Sequence, residues 1–578
     1  MQKKQTILVV ASLLVVVLSV TLAYFTAQII GEGKNISVSS ADLKIVFTDT
    51  DGNIEGNNIT PGWSNSKTFT VKNESNGTYK YDIIIKDLIN TFKTYKYLEY
   101  KITSTDGGYN MTDYSYLPKS STKEDVALAY EVSIDKGKTH TYTIEIKYVN
   151  DESVDQSIDM GQNLSGTIYI REFTKPTMKL TDKLMADNSL IKTRTTFTAF
   201  TETNIGTLYK ATEQIGTNES KDVYYFAGDA KNNWVKFGKT KESSCTYKGA
   251  EVVYVDMTNQ IRRNHPENET ECTSTNICDT GKILGYVVGL TESECTNVDG
   301  AKWITDKATW NGIITKDIYW RIIRTNHDGS IKLLYTGTSP DTTTGYIGGS
   351  AFNPTDNDSM YVGYKYGTSG SLENNRLNTN DSTIKTYVDN WYKNNLTAYT
   401  KYLSNDAVYC NDRNLASGAK YSSGYFRYAS YERLGGDTIS PTYNCTNMSD
   451  AFSVNNTSAK LDYPVGLMTI DELSYAGGQF STELTAPYAW YYTNANGESI
   501  TSITATWSLS PFSWFGSDSI VWAVNGSTNP GNLGGGSMNH NSFAVRPSVS
   551  LLSCNLISRG DGSPENPYEI YTGSGVCE

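Results

Sequence analysis

The segment His140-Thr-Tyr-Thr-Ile-Glu-Ile-Lys-Tyr148 sets the reading of the N-terminal part of this chain. Tyr142, Ile144, Ile146 and Tyr148 share one face of an extended backbone, and Thr141, Thr143, Glu145 and Lys147 share the other. That period of two predicts a half-buried β-strand. Lys67-Thr-Phe-Thr-Val-Lys-Asn73 repeats the pattern with Phe69 and Val71 inward. Residues 81–86, 98–102, 126–134 and 164–170 add further strands, with turn signals at Asp51-Gly52-Asn53, Pro61-Gly62 and Asn76-Gly77. About seven strands at this spacing across residues 35–172 predict an immunoglobulin-like or jelly-roll β-sandwich.

The composition agrees with a mainly β, surface-exposed protein. The 578 residues include 42 Tyr, against 16 Phe and 10 Trp. Lys plus Arg total 50 and Asp plus Glu 62, a net charge of −12, which argues against a cationic face for nucleic acid. The 4 histidines, His140, His265, His327 and His540, are too scattered to build a His-rich metal site or a proton relay.

Lys3 and Lys4 precede an uncharged run, residues 5–31, whose apolar centre is residues 7–25. At ~1.5 Å per residue that centre is about 28 Å long, close to the hydrocarbon thickness of a bilayer. Residues 1–31 therefore predict an N-terminal hydrophobic helix. It is either a signal peptide cut near Ala23 or Ala27, or a retained transmembrane anchor with the lysines inside. Both place the remainder outside the cytoplasm, at the cell surface or in the extracellular space.

The 8 cysteines suit an oxidising compartment. Cys554 and Cys577 flank a hairpin-like segment and Cys410 and Cys445 a polar loop, so each pair is expected to bridge. Cys245, Cys272, Cys278 and Cys295 are expected to pair among themselves within a stapled insertion, residues 240–315. The Cys272–Cys278 spacing is wider than zinc ligands favour, and no histidine follows suitably.

Two resemblances extend this reading. Ala23-Tyr24-Phe25-Thr26 after the leader, Ser39-Ser40-Ala41-Asp42-Leu43-Lys44-Ile45, Ile59-Thr60-Pro61-Gly62 and Phe69-Thr70-Val71-Lys72-Asn73 follow in an order that resembles the camelysin/TasA-type family of exported matrix and surface proteins. That likeness implies a dedicated leader, a sandwich and, in some members, assembly into fibres. Residues 173–204, with Lys175-Pro176 and a short polar helical candidate over residues 178–188, read as a linker. From about residue 205 to 578, Ile318-Tyr-Trp-Arg-Ile-Ile-Arg324, Leu467-Met-Thr-Ile-Asp-Glu472, Thr506-Trp-Ser-Leu-Ser-Pro511, Ala544-Val-Arg-Pro-Ser-Val-Ser-Leu551 and Gly560-Asp-Gly-Ser-Pro-Glu-Asn-Pro-Tyr-Glu-Ile570 form an ordered set. It is similar to an uncharacterised family of exported bacterial domains, which in turn resembles the formylglycine-generating-enzyme and C-type-lectin-like fold. The C-terminal part is accordingly expected to be an α+β module. Asn326-His-Asp-Gly329 signals a hairpin, Ser382 an N-cap before the apolar face Ile384, Val388, Trp391 and Tyr392, and Thr469 with Glu472 a capping box.

Trp320, Arg321, Arg413, Trp507, Trp514, Trp522 and Arg546 are the candidate ligand-binding residues: arginines grip anionic groups and tryptophans supply contact area. The competing reading makes each a core or ion-pair residue. Gly534-Gly535-Gly536 reads as a mobile loop rimming a surface with Trp514 and Trp522. Asp471 and Glu472 read as a cap and a dipole partner, not as a catalytic carboxylate pair. Asp49-Thr-Asp51-Gly-Asn53-Ile-Glu55 and Asp356-Asn-Asp358 are oxygen-rich. They lack the calcium-site patterns, so no cofactor is assigned and calcium stays a secondary option. No cysteine or histidine stands in a catalytic context, and the chain reads as a non-enzyme. The expected function is adhesion or matrix binding by a lectin-like head on a sandwich stalk, with a host protein, glycan or matrix component as partner. The alternatives are a subunit of an extracellular fibre, self-assembling through the sandwich, and an enzyme of formylglycine-generating type.

Overall fold

The computed structural model describes residues 25–31, 36–39, 44–49, 54–111, 114–152, 154–240, 244–247, 250–251, 261–262, 271–272, 301–304, 316–484, 489–500, 505–526, 530–540 and 543–577. The chain is mainly β, with 39% strand and 13% helix. Two compact units divide it, one within residues 1–175 and 242–314, the other within 176–241 and 315–578.

The first unit contains β1 (Phe25–Gly31), β2 (Ile36–Ser39), β3 (Lys44–Asp49), β4 (Ile54–Ile59), β5 (Ser64–Asn73) and β6 (Tyr79–Asn90). It continues with β7 (Leu98–Ser104), β8 (Ser115–Tyr116), β9 (Ser120–Ile134), β10 (Thr139–Tyr148) and β11 (Asn163–Glu172). These form two sheets, in orders β4-β1-β11-β6-β9 and β2-β3-β5-β10-β7-β8. As the alternation predicts, Tyr142, Ile144, Ile146 and Tyr148 are buried, and β10 pairs antiparallel with β5 and β7. Ile83, Ile85 and Ile168 of one sheet share a core with Phe69, Ile102 and Ile144 of the other. The hydroxyl of Tyr81 bonds both the Tyr142 hydroxyl, at 2.6 Å, and His140 Nδ1, at 2.8 Å. Burial lowers the pKa of His140, disfavouring the charged ring, against the pull of Asp106 and Asp135.

The described strands of this unit reach ten residues further toward the N-terminus than residue 35. Phe25–Gly31, expected at the tail of the leader, forms β1 in parallel register with β11 and antiparallel to β4. Phe25, Ala27 and Ile29 alternate with Thr26 and Gln28, a strand period hidden under the adjoining apolar run. Residues 1–24, with the rest of the expected leader or anchor, lie outside the described residues. Among the described residues no helix is long and apolar enough to cross a membrane.

Residues 173–204 are not only a linker. A helix, Leu180–Asp187, buries Leu180 and Leu184, and Leu190–Thr193 lies parallel to Thr207–Glu213 at the edge of the second unit's main sheet. The i,i+4 leucine pair carries that docking. Cys245 and Cys272 fall in the short strands Ser244–Tyr247 and Glu271–Cys272. The bridges expected among Cys245, Cys272, Cys278 and Cys295 lie outside the described residues. Thr240 and Lys316 close the base of this segment, Thr240 N donating to Lys316 O at 2.8 Å.

The second unit is built on a sheet in which Asp317–Thr325 is interior, paired with Trp234–Lys239 and Ile331–Tyr335. Its residues from Ile318 to Arg324 are all buried, as an interior strand requires. The hairpin at Asn326–Gly329 forms, with Gly329 at φ 81° and Asn326 N bonded to Ser330 O. The helix Thr383–Asn395 starts on the Ser382 cap and buries Ile384, Val388 and Tyr392. Cys410–Cys445 and Cys554–Cys577 are bridged as expected.

In the first unit, the carboxylate of Asp159 is fully buried and accepts from Lys93 N, Thr94 N and the Tyr148 hydroxyl. Asp159→Ala strands those donors and is expected to cost about 2–4 kcal/mol, measured as a shift in the urea unfolding of this unit.

Candidate functional site

All seven residues singled out in the sequence lie in the second unit, and six of them are buried. Trp320 is buried and donates Nε1–H to Phe237 O at 2.8 Å. Arg321 spends Nε on Asn233 Oδ1 at 2.6 Å and Nη2 on Ala230 O at 2.7 Å, and stacks 4.2 Å from the Trp234 ring centre. Arg546 donates to the carbonyls of Tyr335 and Tyr491. Burial pulls both guanidinium groups down to about 9, so both remain charged at neutral pH. Arg413 is fully buried: it binds Asp450 Oδ1 at 2.7 Å, Lys365 O at 2.9 Å, Asn378 Oδ1 at 3.0 Å and Ser449 O at 2.7 Å. These arginines are internal ties between loops, not a grip offered to a ligand. Trp507 and Trp522 are buried too, donating to Ser350 O and Ser430 Oγ. Only Trp514 is half-exposed.

The carboxylates of Asp471 and Glu472 are likewise occupied. Asp471 takes a two-point ion pair from Arg433, at 3.0 and 2.8 Å. Glu472 closes the expected capping box with Thr469 through Oε2, while Oε1 accepts from Arg324 Nε at 2.9 Å and Lys332 Nζ at 2.7 Å. Arg324 also binds Glu213 Oε1 at 2.8 Å. Burial opposes the charge on Glu213, yet Arg324 and His327 hold it down at about 2. A cavity of about 20 Å³ remains between these groups, beside Cys410, which is room for one water.

A second cluster would suit a cation by its donor set alone. Carboxylate oxygens of Asp381, Asp389 and Asp462 lie within 4.8 Å of one another. The ammonium of Lys385 already fills the centre, at 3.1, 2.6 and 2.8 Å from the three. Burial pushes Asp389 up to about 6, against the pull of Lys385 and with the neighbouring carboxylates adding to the rise. The oxygen-rich turn at Asp356 and Asp358 is also served by protein donors: Asn539 and Ser537 bind Asp356, and Asp358 caps Met360 N. Most of the other oxygen-rich stretch, Asp49 to Glu55, lies outside the described residues or their side chains.

The exposed aromatic residues gather on a separate four-stranded sheet, in the order Phe426–Arg427, Thr506–Trp514, Ser519–Val524 and Leu533–Ser537. Gly534-Gly535-Gly536, expected to be a mobile loop, is the last of these strands, with Gly535 opposite Trp522. A Cβ on Gly535 would stand 2.7 Å from Ile520 and 3.2 Å from Phe512, so only glycine lets this strand lie against those side chains. Tyr425 and Phe515 are 46% and 49% exposed, their ring centres 5.0 Å apart and their planes at 46°. Arg427 donates to the Tyr425 hydroxyl at 2.6 Å and lies 3.7 Å over the Tyr431 ring. Tyr431 in turn packs on Phe512, Phe480 and the buried Trp522. Gly516, at φ 79°, allows the turn to close on the Tyr425 loop: a Cβ there would meet Gly424 O at 2.6 Å. The result is a fixed strip running Phe515, Tyr425, Arg427, Tyr431, Phe480.

Trp514, Trp522 and the glycine run fall on one sheet, but Trp522 is buried and does not rim a surface, and the exposed pair Tyr425 and Phe515 was not among the expected residues. The signal was present in the alternation Tyr425-Phe426-Arg427-Tyr428, which turns Tyr425 and Arg427 outward while Phe426 and Tyr428 are buried.

Two outcomes are expected from the buried clusters. Glu472→Ala leaves Arg324 and Lys332 without their shared anion and costs about 3–5 kcal/mol in denaturant unfolding. In Asp389→Asn, an Asp whose folded pKa is raised is replaced by a group that does not titrate. Wild type loses stability relative to this variant as pH rises from about 4 to about 6, by about 2–3 kcal/mol, read from paired unfolding curves across that range. No model of a protein family matches this chain, and no curated protein matches it either.

Proposed function

We propose that this chain is an exported cell-surface protein that binds a surface or matrix component through its second unit. In this reading the first unit is an immunoglobulin-like or jelly-roll sandwich that carries a C-type-lectin-like head. The N-terminal apolar run delivers the protein across the membrane or anchors it there. The two bridged cysteine pairs, Cys410–Cys445 and Cys554–Cys577, suit an oxidising compartment.

One observation carries the binding role: Tyr425 and Phe515 hold about half of their surface in solvent, side by side, on a sheet whose other large aromatics are mostly covered. Leaving two large rings exposed costs burial that the fold makes use of elsewhere. Rigid aromatics of this kind supply contact area at low entropic cost.

The test is attachment of the full-length chain to cells and to extracellular matrix, compared with Tyr425→Ala/Phe515→Ala. Attachment is expected to fall at least about tenfold, the loss of one or two anchoring side chains, with the unfolding temperature unchanged. Undiminished attachment by the double variant would remove the strip from the function.

A further inference from the structure

We infer that the seat formed by Phe515 and Tyr425, backed by Arg427 and Tyr431, takes a pyranose ring of a neutral glycan, without calcium. This rests on the binding role proposed above and names its ligand class.

The geometry favours sugars over other partners. Tyr425 and Phe515 are tilted at 46°, which makes a shallow, angled seat and not one flat apolar face of the size a protein interface buries. Pyranose rings present axial C–H groups to such seats, and an aromatic face with its negative quadrupole attracts them. Their hydroxyls then need acceptors and donors at the rim. The turn that carries Phe515 also carries Asp518, whose backbone carbonyl accepts from Phe515 N and whose carboxylate stands 2.7 Å from Ser537 Oγ, a single hydroxyl donor it shares with Asp356. Asn539, exposed, binds Asp356, and Glu432, exposed, follows Tyr431 on its helix. Each of these carboxylates has acceptor capacity beyond the one or two donors it now receives.

Charge narrows the class further. Asp518, on the Phe515 turn, and Glu432, next to Tyr431, set two carboxylates beside the one guanidinium in the strip. Arg427 is itself engaged by the Tyr425 hydroxyl and the Tyr431 face. A uronate- or sulfate-bearing glycan would meet net repulsion here, and so would a nucleic acid. Calcium is not called for. The carboxylates of Asp356 and Asp358 already receive side-chain and backbone donors, and the sugar is held by ring faces and direct hydrogen bonds.

The experiment is affinity gel electrophoresis of the full-length chain through gels containing glucomannan, xyloglucan, mixed-linkage β-glucan or hydroxyethylcellulose. Alginate serves as the anionic comparison, and each gel is run with and without EDTA. At least one neutral polysaccharide is expected to retard the protein, alginate is not, and EDTA leaves the retardation unchanged. Tyr425→Ala and Phe515→Ala each weaken retardation at least about tenfold, while Leu377→Ala, which trims an exposed leucine outside the strip, leaves it unchanged. Circular dichroism melting confirms that each variant is folded. The inference is overturned if no neutral polysaccharide retards the protein, if retardation survives in the double variant, or if EDTA abolishes it. Loss of cell attachment in the double variant, with no retardation by any neutral polysaccharide, overturns the glycan and leaves the binding role standing.

Discussion

A single carboxylate, that of Glu472, ties together the parts of the second unit. It caps the helix Ile470–Ala476 and at the same time receives Arg324 from the interior strand and Lys332 from the strand beside it. Through Arg324 it is linked to Glu213 on another strand of the same sheet. Two anions and two cations are thereby withdrawn from water together, and each is tolerable only because the others are present. Such an arrangement adds little stability over a well-packed apolar core, but it admits few alternative registers. Shifting any one strand by a residue would leave a buried charge alone. The strands and the helix are held to one arrangement, and the loops that reach the aromatic sheet start from a fixed frame.

The arginines of this unit divide along the same line. Arg321, Arg413 and Arg546 are spent on Asp450 and on backbone carbonyls at the ends of strands and in the loops between them. A guanidinium with five donors satisfies several carbonyls at once, which is an economical way to bury irregular backbone. Arg427 is the contrasting case. It lies at the surface, shaping the ring of Tyr425 and covering that of Tyr431.

What was legible in the sequence was local. The alternation through β10, the capping box at Thr469, the Ser382 cap and the two short-range cysteine pairs each depend on residues a few positions to a few tens apart, and each is present. The roles of the arginines depend on partners far away in the chain, Arg324 with Glu472 and Arg413 with Asp450, and no periodicity announces them. The glycine run misled for a different reason. Three glycines ordinarily mark a flexible turn, but here Ile520 and Phe512 leave no room for a Cβ at Gly535, nor Phe543 at Gly536, so packing selects glycine at those two positions of a strand, while Gly534 faces open space. In segment 173–204 the short helix is legible, but its docking is not, because two leucines in a polar helix are a weak signal until the surface they cover is known.

The position of β1 bears on how the first unit comes into being. Phe25–Gly31 is the earliest described strand in the chain, yet its parallel neighbour is β11, the last strand of the unit's two large sheets, more than a hundred residues later. A parallel pairing of that span cannot form until the whole intervening chain is available, and such non-local closures are slow. For a chain threaded across a membrane N-terminus first, the sheet stays open along β1 until β11 has emerged. A peptidase acting at Ala27 would divide the strand, whereas one acting at Ala23 would spare it. The place of a leader cut would therefore decide whether the first sheet can close at all.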